Sequence, residues 1–306
     1  MTNRLITGAT GMVGNALVKI EPSSIGFSSK EFDLTSFKDT KELFKKYQPT
    51  EVYHLAARVG GVQDNLNNND EFFYKNSCIN NNVLRVAYES GVRKVISILS
   101  TCVYPDDISY PLREKNIHNG EPHYTNFGYA YSKRMLEVYS RALSKRGKTK
   151  FLCVIPNNLY GEYDNFDLEN SHVIPAIIRK IYEAKKFGER PVLWGDGSPL
   201  REFTYTHDLA QILKYLMDND CPQTVLNVGN TDEISIRQLT EKISNYFSYD
   251  FDSIIWDTSR PKGQLRKPSD NSLFKQIKNF DYTNIDVGLE QTCRWFENTY
   301  PNVRGF

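Results

Sequence analysis

Short apolar, β-branched segments alternate along the first half of the chain with longer segments whose apolar residues recur at helical spacing. The strand-like segments are residues 4–7, 24–28, 51–56, 94–99 and 150–155. The helix-like segments lie near residues 12–20, 38–47, 69–90 and 127–146. A repeated strand–helix–strand order is typical of a parallel sheet that is covered by helices on both faces. The pattern therefore predicts an α/β fold with a doubly wound parallel sheet.

The second half of the chain has a looser pattern, with turn-rich stretches such as NLYGEYDNFDLENSH and LWGDGSPLREF. Shorter segments such as TVLNVGN follow, and a last helical segment ends near RWFENTY. We interpret this half as a smaller lobe, some of whose segments return to the main sheet. The predicted boundary separates a sheet domain at 1–157 from a C-terminal lobe at 158–306.

The overall charge gives no reason to expect a polyanionic partner. The chain has 306 residues, with 38 Lys plus Arg against 37 Asp plus Glu and a net charge of +1. Nucleic acid and anionic membrane surfaces are therefore not expected partners. No apolar run approaches the ~20 residues of a membrane helix. The N-terminal residues begin a strand at once, so we expect neither a membrane anchor nor a signal peptide.

The cysteines are spaced as reduced thiols usually are. The five stand singly at 78, 102, 153, 221 and 293, without any C-x-x-C pair. This spacing argues against a disulfide framework and against zinc ligation, so no metal site is expected. It also favours a reducing compartment, and we expect the protein to be cytoplasmic.

A glycine-rich turn follows the first predicted strand. In LITGATGMVGNAL, Gly8, Gly11 and Gly14 have G-x-x-G-x-x-G spacing and open the first predicted helix. Small residues at these positions permit a tight turn and let the helix N-terminal amides approach a pyrophosphate. A purely structural glycine loop is the alternative, but the position after a first strand favours dinucleotide binding by a Rossmann-type domain.

The tip of the second strand indicates which dinucleotide is preferred. Ser28, Ser29 and Lys30 stand where NAD-binding proteins usually carry an acidic residue. Hydroxyls and an ammonium suit a 2′-phosphate, so NADP is favoured over NAD. A solvated lysine on a surface turn is the alternative. Asp33 is a candidate contact to the adenine amino group, or an ordinary turn residue.

A tyrosine, a lysine and a serine form the candidate reduction site. Tyr129 and Lys133 in YAYSK are four residues apart, and therefore share one helix face. An adjacent ammonium favours the phenolate and brings the pKa of Tyr129 nearer the working range. Ser100 ends the fourth strand, at the sheet edge where open α/β folds bind ligands. Ser100 and Tyr129 could each donate a hydrogen bond to one carbonyl oxygen of a substrate.

Together with the glycine turn, these residues resemble the extended short-chain dehydrogenase/reductase family that acts on nucleotide sugars. The resemblance covers most of the chain. It implies hydride transfer between a nicotinamide and a sugar carbon.

Cys102 and His172 are candidates for a second activity. If Ser100 and Tyr129 hold the C4 oxygen of a 4-keto sugar, removing a proton from C3 or C5 gives an enolate on that same oxygen. Cys102 is placed to be the base, its pKa lowered by nearby cationic or dipolar groups. His172, in NSHVIP, is the candidate acid on the opposite face of the ring. A buried filler thiol and a histidine that orients a helix start are the alternatives.

Several longer stretches resemble the GDP-L-fucose synthase family within this group. They are LSTCVYP, HNGEPHYTNFGYAYSKRM, PNNLYGEYDNF, SHVIPA, WGDGSPLREF and, nearer the N-terminus, HLAARVGGV. The resemblance implies NADPH-dependent conversion of GDP-4-keto-6-deoxy-D-mannose to GDP-L-fucose, by epimerisation at C3 and C5 and then reduction at C4. It also implies an NADP-binding Rossmann domain, a smaller substrate-binding lobe and a homodimer.

The resemblance assigns epimerisation to Cys102 and His172, and reduction to Ser100, Tyr129 and Lys133. Further positions are assigned to ligand binding. The cofactor site is predicted to comprise Gly8, Thr10, Gly11, Met12, Val13, Gly14, Ser29, Lys30, Asp33, Leu34, Ala56, Ala57, Leu99, Lys133, Pro156, Asn158, Leu159 and His172. The substrate site is predicted to comprise Lys180, Trp194 and Arg201, with Lys267 as a further cation facing the nucleotide.

One position departs from the family pattern. Lys262 stands in Pro-Lys-Gly, where the family usually has Pro-Asp-Gly. The departure replaces a substrate-contacting carboxylate with an ammonium, so it affects binding of the nucleotide or sugar and leaves the chemistry unchanged. Two alternatives stay open: another nucleotide-sugar epimerase/reductase, for example for a 3,6-dideoxy sugar, and a non-catalytic NADP-binding regulator.

Overall fold

The computed structural model describes residues 3–259 and 265–306. Its strands are β1 (Arg4–Thr7), β2 (Ile25–Gly26), β3 (Glu51–His54), β4 (Lys94–Ile98), β5 (Lys150–Pro156), β6 (Asn158–Tyr160), β7 (Val192–Trp194), β8 (Leu200–Tyr205), β9 (Val225–Val228), β10 (Glu233–Ser235) and β11 (Ile255–Asp257). Its α-helices are α1 (Met12–Ile20), α2 (Phe37–Tyr47), α3 (Val62–Asn67), α4 (Asn69–Glu89), α5 (Phe127–Ser144), α6 (Val173–Phe187), α7 (Thr206–Asp218), α8 (Ile236–Tyr246), α9 (Ser272–Ile277) and α10 (Ile285–Thr299).

The main sheet is parallel, with the strand order β2-β1-β3-β4-β5-β9. Leu5, Val52 and Val95 pair in register across its centre, and all three are buried. Side chains alternate between the two faces: Leu5 joins the core on one face, and Ile6 joins the core on the other. Both faces are covered, which explains the continuous apolar runs of these strands. The predicted doubly wound α/β fold is confirmed.

The second predicted strand is shorter than expected. The sequence predicts residues 24–28, whereas β2 covers only Ile25 and Gly26. The backbone N–H of Ser28 donates to the carboxylate of Glu31 at 2.7 Å, which turns the chain away from the sheet.

The C-terminal half has a core and small sheets of its own. Strands β10, β8 and β6 form one sheet, and β11 pairs with β7. Helices α6, α8 and α10 pack around a core that includes Ile178, Leu239 and Phe296. Strand β9 lies at the edge of the main sheet beside β5, and α7 packs on α1. Segments beyond residue 157 thus join the main sheet, while the domain boundary itself stays a prediction.

A segment near the C-terminus joins the two halves. The carbonyl of Pro268 accepts from the N–H of Leu112 at 2.9 Å, and the N–H of Asp270 donates to the carbonyl of Leu112 at 2.9 Å. The neighbouring Ser269 donates its N–H at 3.0 Å to the buried carboxylate of Glu202 on β8. Residues 267–270 are therefore fixed between the main sheet domain and the C-terminal half.

Candidate active site

The glycine turn between β1 and α1 is built for close backbone contacts. Gly8 has φ +72°, and its carbonyl accepts from the N–H of Gly11 at 3.0 Å. A Cβ at Gly14 would lie 2.2 Å from the oxygen of Gly8, whereas a Cβ at Gly11 would have nothing nearer than 3.4 Å. Gly14 thus serves helix packing, and the open side at Gly11 leaves room for a phosphate. Helix α1 has no side-chain cap, so no capping side chain occupies its first-turn amides.

The tip of β2 presents exposed polar side chains. Ser29 and Lys30 are both exposed beside the turn. The carboxylate of Asp33 accepts from the N–H of Thr35 at 2.9 Å and from its hydroxyl at 2.8 Å. Asp33 therefore makes the turn contacts that the sequence left as one alternative, and its contact to adenine stays a prediction. Leu34 beside it is buried.

The other predicted cofactor residues follow the carboxyl ends of the neighbouring strands. Ala56 and Ala57 follow β3, Leu99 follows β4, and Pro156 ends β5. Asn158 and Leu159 lie on β6, and Thr10, Met12 and Val13 lie on the glycine turn and the start of α1. The ends of β1, β3, β4 and β5 share one edge of the main parallel sheet, so the fold places the residues that follow them along that edge.

Ser100 and Cys102 lie together just after β4. Ser100 begins the short 3₁₀ helix Thr101–Val103, and its hydroxyl accepts from the N–H of Cys102 at 3.4 Å. Cys102 is only 7% exposed. Burial raises the pKa of the thiol, while the Ser100 hydrogen bond and the charges of Lys267 and Lys133 oppose that rise. The expected net lowering of this pKa is therefore wrong, because burial outweighs the cations.

Tyr129 and Lys133 share one face of α5, as predicted. The Nζ atom of Lys133 lies 5.7 Å from the centre of the Tyr129 ring and donates to the carbonyl of Ile98 at 2.7 Å. Burial lowers the pKa of Lys133 to about 8. Burial also raises the pKa of Tyr129, so the expectation that the ammonium brings it nearer neutrality is wrong for the protein alone.

Polar contacts hold the start of α5 against α4. The N–H of Gly128 donates to the Asn69 side chain at 2.9 Å, and the Asn80 amide donates to the carbonyl of Ser132 at 3.3 Å. Asn80 also bonds the buried ring of His54 at 3.0 Å, and Tyr129 packs edge-on against Phe72. Tyr129, the predicted proton donor, thus rests on a fixed helix pair.

His172 belongs to the C-terminal half. It is the exposed N-cap residue of α6 and makes no side-chain cap bond. The loop before it packs against the main domain, where the backbone of Asn170 touches Gly61. Its electrostatic partner is Asp164, a carboxyl group that is 5% exposed.

The predicted substrate contacts fall into two groups, Lys267 with Arg201, and Lys180 with Trp194 at β7. The charges of Lys267 and Arg201 influence each other, and that of Lys267 also reaches the thiol of Cys102. Burial lowers the pKa of both cations. Lys180 donates to the carbonyl of Val192 at 2.8 Å, at the start of β7. Trp194, which ends β7, is exposed.

Comparison with known proteins agrees with this geometry. A family model described as the NAD dependent epimerase/dehydratase family matches residues 4–229. The chain belongs to this family.

Two relatives and one solved structure indicate where in the epimerase/dehydratase family the chain lies. The GDP-L-fucose synthase of Dictyostelium discoideum is 39% identical over 310 residues, with 98% of this chain and 97% of the relative covered. The GDP-L-colitose synthase of Yersinia pseudotuberculosis is 36% identical, with 97% and 99% covered. A crystal structure of a GDP-L-fucose synthetase from Naegleria fowleri bound to NADP has a TM-score of 0.93 at 39% identity, with 99% and 95% covered. The resemblance to GDP-L-fucose synthases is confirmed.

In this family member, the structure brings most of the predicted chemistry together. Electrostatic contacts join Cys102 to Ser100, Tyr129, Lys133 and Lys267. His172 lies apart from this cluster, on the loop of the other half. The roles assigned to these residues stay predictions.

The sequence analysis missed Asp164. Its Oδ1 atom accepts from the N–H of Asn165 at 2.7 Å, whereas Oδ2 is buried without a hydrogen-bond partner in the described parts of the chain. Burial raises its pKa to about 6, against the opposing charges of His172 and Arg304. The signal was present in YGEYDNF, since an acidic residue in a motif that carries the family resemblance is a candidate partner for the nearby histidine.

Three further expectations concern Lys262, metal binding and membrane spanning. Lys262, the departure from the family pattern, lies outside the described residues. Within residues 3–259 and 265–306, no group of His, Cys, Asp or Glu side chains could hold a metal ion, and no helix is long and apolar enough to cross a membrane.

Proposed function

We propose that the chain catalyses the NADPH-dependent conversion of GDP-4-keto-6-deoxy-D-mannose to GDP-L-fucose. The observation that carries the proposal is the cluster of Ser100, Cys102, Tyr129 and Lys133 beside the dinucleotide turn. A thiol among reductase residues is what a combined epimerase and reductase needs, because both reactions place charge on one carbonyl oxygen.

The cofactor is NADP(H). The open side at Gly11 and the uncapped start of α1 suit its pyrophosphate, and the exposed Ser29 and Lys30 suit its 2′-phosphate. When bound, NADPH supplies the hydride that C4 of the sugar accepts.

Epimerisation uses residues of both halves. Ser100 and Tyr129 donate hydrogen bonds to the C4 oxygen, and the thiolate of Cys102 removes the proton from C3 or C5. The electron pair of the broken C–H bond moves to the C4 oxygen as an enolate. His172 then gives a proton to the opposite face of the same carbon. Solvent returns both side chains to their starting protonation states.

Reduction follows at the same carbonyl. Tyr129 gives its proton to the C4 oxygen as that oxygen becomes a hydroxyl. The neighbouring ammonium of Lys133 then stabilises the phenolate that remains.

The sugar nucleotide is held by the cationic side of the cleft. Arg201 suits a diphosphate because a guanidinium donates two parallel hydrogen bonds, and Trp194 offers a flat exposed face. Lys180 and Lys267 add positive charge in the same cleft.

A direct assay tests the proposal. The protein is incubated with NADPH and GDP-4-keto-6-deoxy-D-mannose, nicotinamide absorbance is followed, and the product is identified by NMR. We expect oxidation of NADPH and formation of GDP-L-fucose. Oxidation with a product whose C3 and C5 are not inverted would contradict the epimerase part.

The colitose synthase relative supports a second candidate, an epimerase/reductase for a 3,6-dideoxy GDP-sugar. The same hydrogen bonds to the carbonyl oxygen, the same thiol and the same imidazole would act on that substrate. The two candidates are separated by offering both 4-keto substrates to the protein and comparing kcat/KM.

We also propose a cytoplasmic homodimer. The free state of all five cysteines suits a reducing compartment. Phe127, Met135 and Val138 are exposed along one side of α5, and Phe73 and Tyr74 are exposed on the adjacent α4. A second copy of the same helix pair would bury this apolar surface.

The association state is tested with matched variants. We expect Val138→Asp to convert a dimer into a monomer in light-scattering chromatography. Val287→Asp, at an exposed valine on α10, is the control and should stay dimeric. A monomeric wild type would contradict the proposal.

A further inference from the structure

The buried carboxyl of Asp164 is not explained by the fold. The residue is 5% exposed, and its Oδ2 atom has no hydrogen-bond partner among residues 3–259 and 265–306. An ionised carboxylate in such a place costs folding free energy unless a charge or a ligand compensates it. Asn would keep the one bond that Oδ1 accepts, so local packing alone does not require an acid here.

Two basic side chains lie within electrostatic range of this carboxyl. They are His172 at the start of α6 and Arg304 in the C-terminal segment. The surrounding loop is well held: the N–H of Phe166 donates to the carbonyl of Arg304 at 2.8 Å, and Arg179 donates to the carbonyl of Phe166 at 3.0 Å. The carboxyl thus has a fixed position on the loop that leads to the exposed His172.

The backbone that precedes Asp164 is unusual as well. Tyr163 has φ +65°, a left-handed conformation that a tyrosine seldom adopts. Its ring packs against Trp295 and lies beneath the ammonium of Lys19. Packing on both sides compensates the strained turn that directs the next residue inward.

We propose that Asp164 assists His172 electrostatically: its buried carboxylate stabilises the positive charge that the imidazole carries while it gives a proton to the sugar. The proposal rests on the function proposed above. An imidazole that acts as an acid must carry a proton on the nitrogen that faces the substrate, and a neighbouring carboxylate stabilises that cation.

The proton balance of the step is simple. The N–H bond of the imidazolium breaks, and a C–H bond forms at the enolate carbon on the face opposite Cys102. The imidazole becomes neutral, the enolate becomes a ketone, and Asp164 keeps its negative charge throughout. No oxidant or reductant is involved.

The test isolates epimerisation from reduction. The protein is loaded with NADP⁺ in place of NADPH, so no hydride is available, and is given GDP-4-keto-6-deoxy-D-mannose in D₂O. NMR then measures deuterium incorporation at C3 and C5. General acid catalysis contributes about 10²–10⁴-fold, and we expect Asp164→Asn to lose about tenfold or more of the exchange rate with little change in KM.

Asp167→Asn is the matched control. Asp167 lies on the same loop, and its Oδ1 atom accepts from the N–H groups of Glu169 and Asn170 at 2.9 and 2.7 Å. Asn keeps an oxygen at that position, so this variant removes a charge from the loop without touching the carboxyl beside His172. We expect its exchange rate to stay within about twofold of wild type.

The outcomes separate the two proposals. A wild type that exchanges no deuterium contradicts the proposed function. A wild type that exchanges, with Asp164→Asn exchanging equally fast, overturns the role of Asp164 alone. Asp164→Asn that loses NADPH binding and thermal stability together with exchange would show a structural role, and would also overturn it.

The pH dependence of the two proteins gives a further check. Because burial raises the pKa of Asp164 to about 6, its carboxyl becomes neutral as pH falls below that value and no longer supports a charged imidazole. Loss of the Cys102 thiolate slows both proteins, so we expect the ratio of the wild-type rate to the Asp164→Asn rate to fall toward one as pH is lowered through about 6. A ratio that stays constant across that range contradicts the proposal.

Discussion

The residues proposed for reduction and those proposed for proton delivery are held by different parts of the fold. Ser100, Tyr129 and Lys133 rest on a strand end and on a helix of the main sheet domain, and both supports are buried. His172 and Asp164 lie on the loop between β6 and α6, which the C-terminal segment fixes in place. In the proposed mechanism, one carbonyl thus serves two reactions whose other residues are held by different parts of the fold. We therefore expect that a substitution can impair one reaction and leave the other largely intact.

The largest effect is expected on the reducing side. Tyr129→Phe removes the hydroxyl that gives a proton to the C4 oxygen, and we expect NADPH oxidation to slow by about 10²–10⁴-fold. Nicotinamide absorbance measures it. Deuterium exchange at C3 and C5 should fall much less, because Ser100 still donates to the oxygen. Equal losses in both assays would mean that the two sides are not separable.

Cys102→Ser should give the converse result. A serine hydroxyl is a far weaker base than a thiolate, so we expect deuterium exchange to fall by about 10²-fold or more. NADPH binding, followed by nicotinamide fluorescence, should be unchanged, since Cys102 lies outside the predicted cofactor site. GDP-L-fucose formation at the wild-type rate would show that the thiol is not the base.

Two glycine variants sharpen the account of the cofactor turn. Gly14→Ala places a Cβ 2.2 Å from the oxygen of Gly8, and we expect it to cost about 1–3 kcal/mol of unfolding free energy. Gly11→Ala meets no protein atom nearer than 3.4 Å, so we expect unchanged stability and a roughly tenfold loss of NADPH affinity. Denaturant unfolding and fluorescence titration measure the two effects. A destabilised Gly11→Ala would contradict the assignment of its open side to the phosphate.

The smallest effect is a change in pH dependence. Burial lowers the pKa of Lys133 to about 8, so its ammonium is present below that pH and is lost as pH rises through it. We expect the rate of reduction to fall above pH 8 in the wild type. Lys133→Met should be slower throughout and should lack that decline. A variant that retains the decline would assign it to another group.

The sequence predicted the main sheet domain closely because its strands are buried on both faces. Helix α1 and strand β1 begin and end where the apolar pattern places them, at 12–20 and 4–7. The glycine turn, Ser100 and Tyr129 follow from the same pattern, because strand ends and helix faces have fixed directions. In such a fold, residues that follow the ends of neighbouring strands lie close together.

The loops of the C-terminal half could not be predicted in this way. The electrostatic pairing of Asp164 with His172 depends on the left-handed turn at Tyr163 and on the segment that holds the loop, and neither has a periodic signal. The pKa directions of Cys102 and Tyr129 were also wrong in the sequence analysis, because burial is a tertiary property. A motif shows which charged residues lie near an ionisable side chain, but it does not show how far folding removes that side chain from water.

The segment at residues 267–270 has a mechanical consequence. Its backbone forms hydrogen bonds with Leu112 in the main sheet domain, and Ser269 forms one with Glu202 in the C-terminal half. The segment therefore links the two halves. Swinging the halves apart would break buried hydrogen bonds that water could not at once replace. We therefore expect the sugar nucleotide to bind without a large separation of the two halves, beside Lys267 in the same segment.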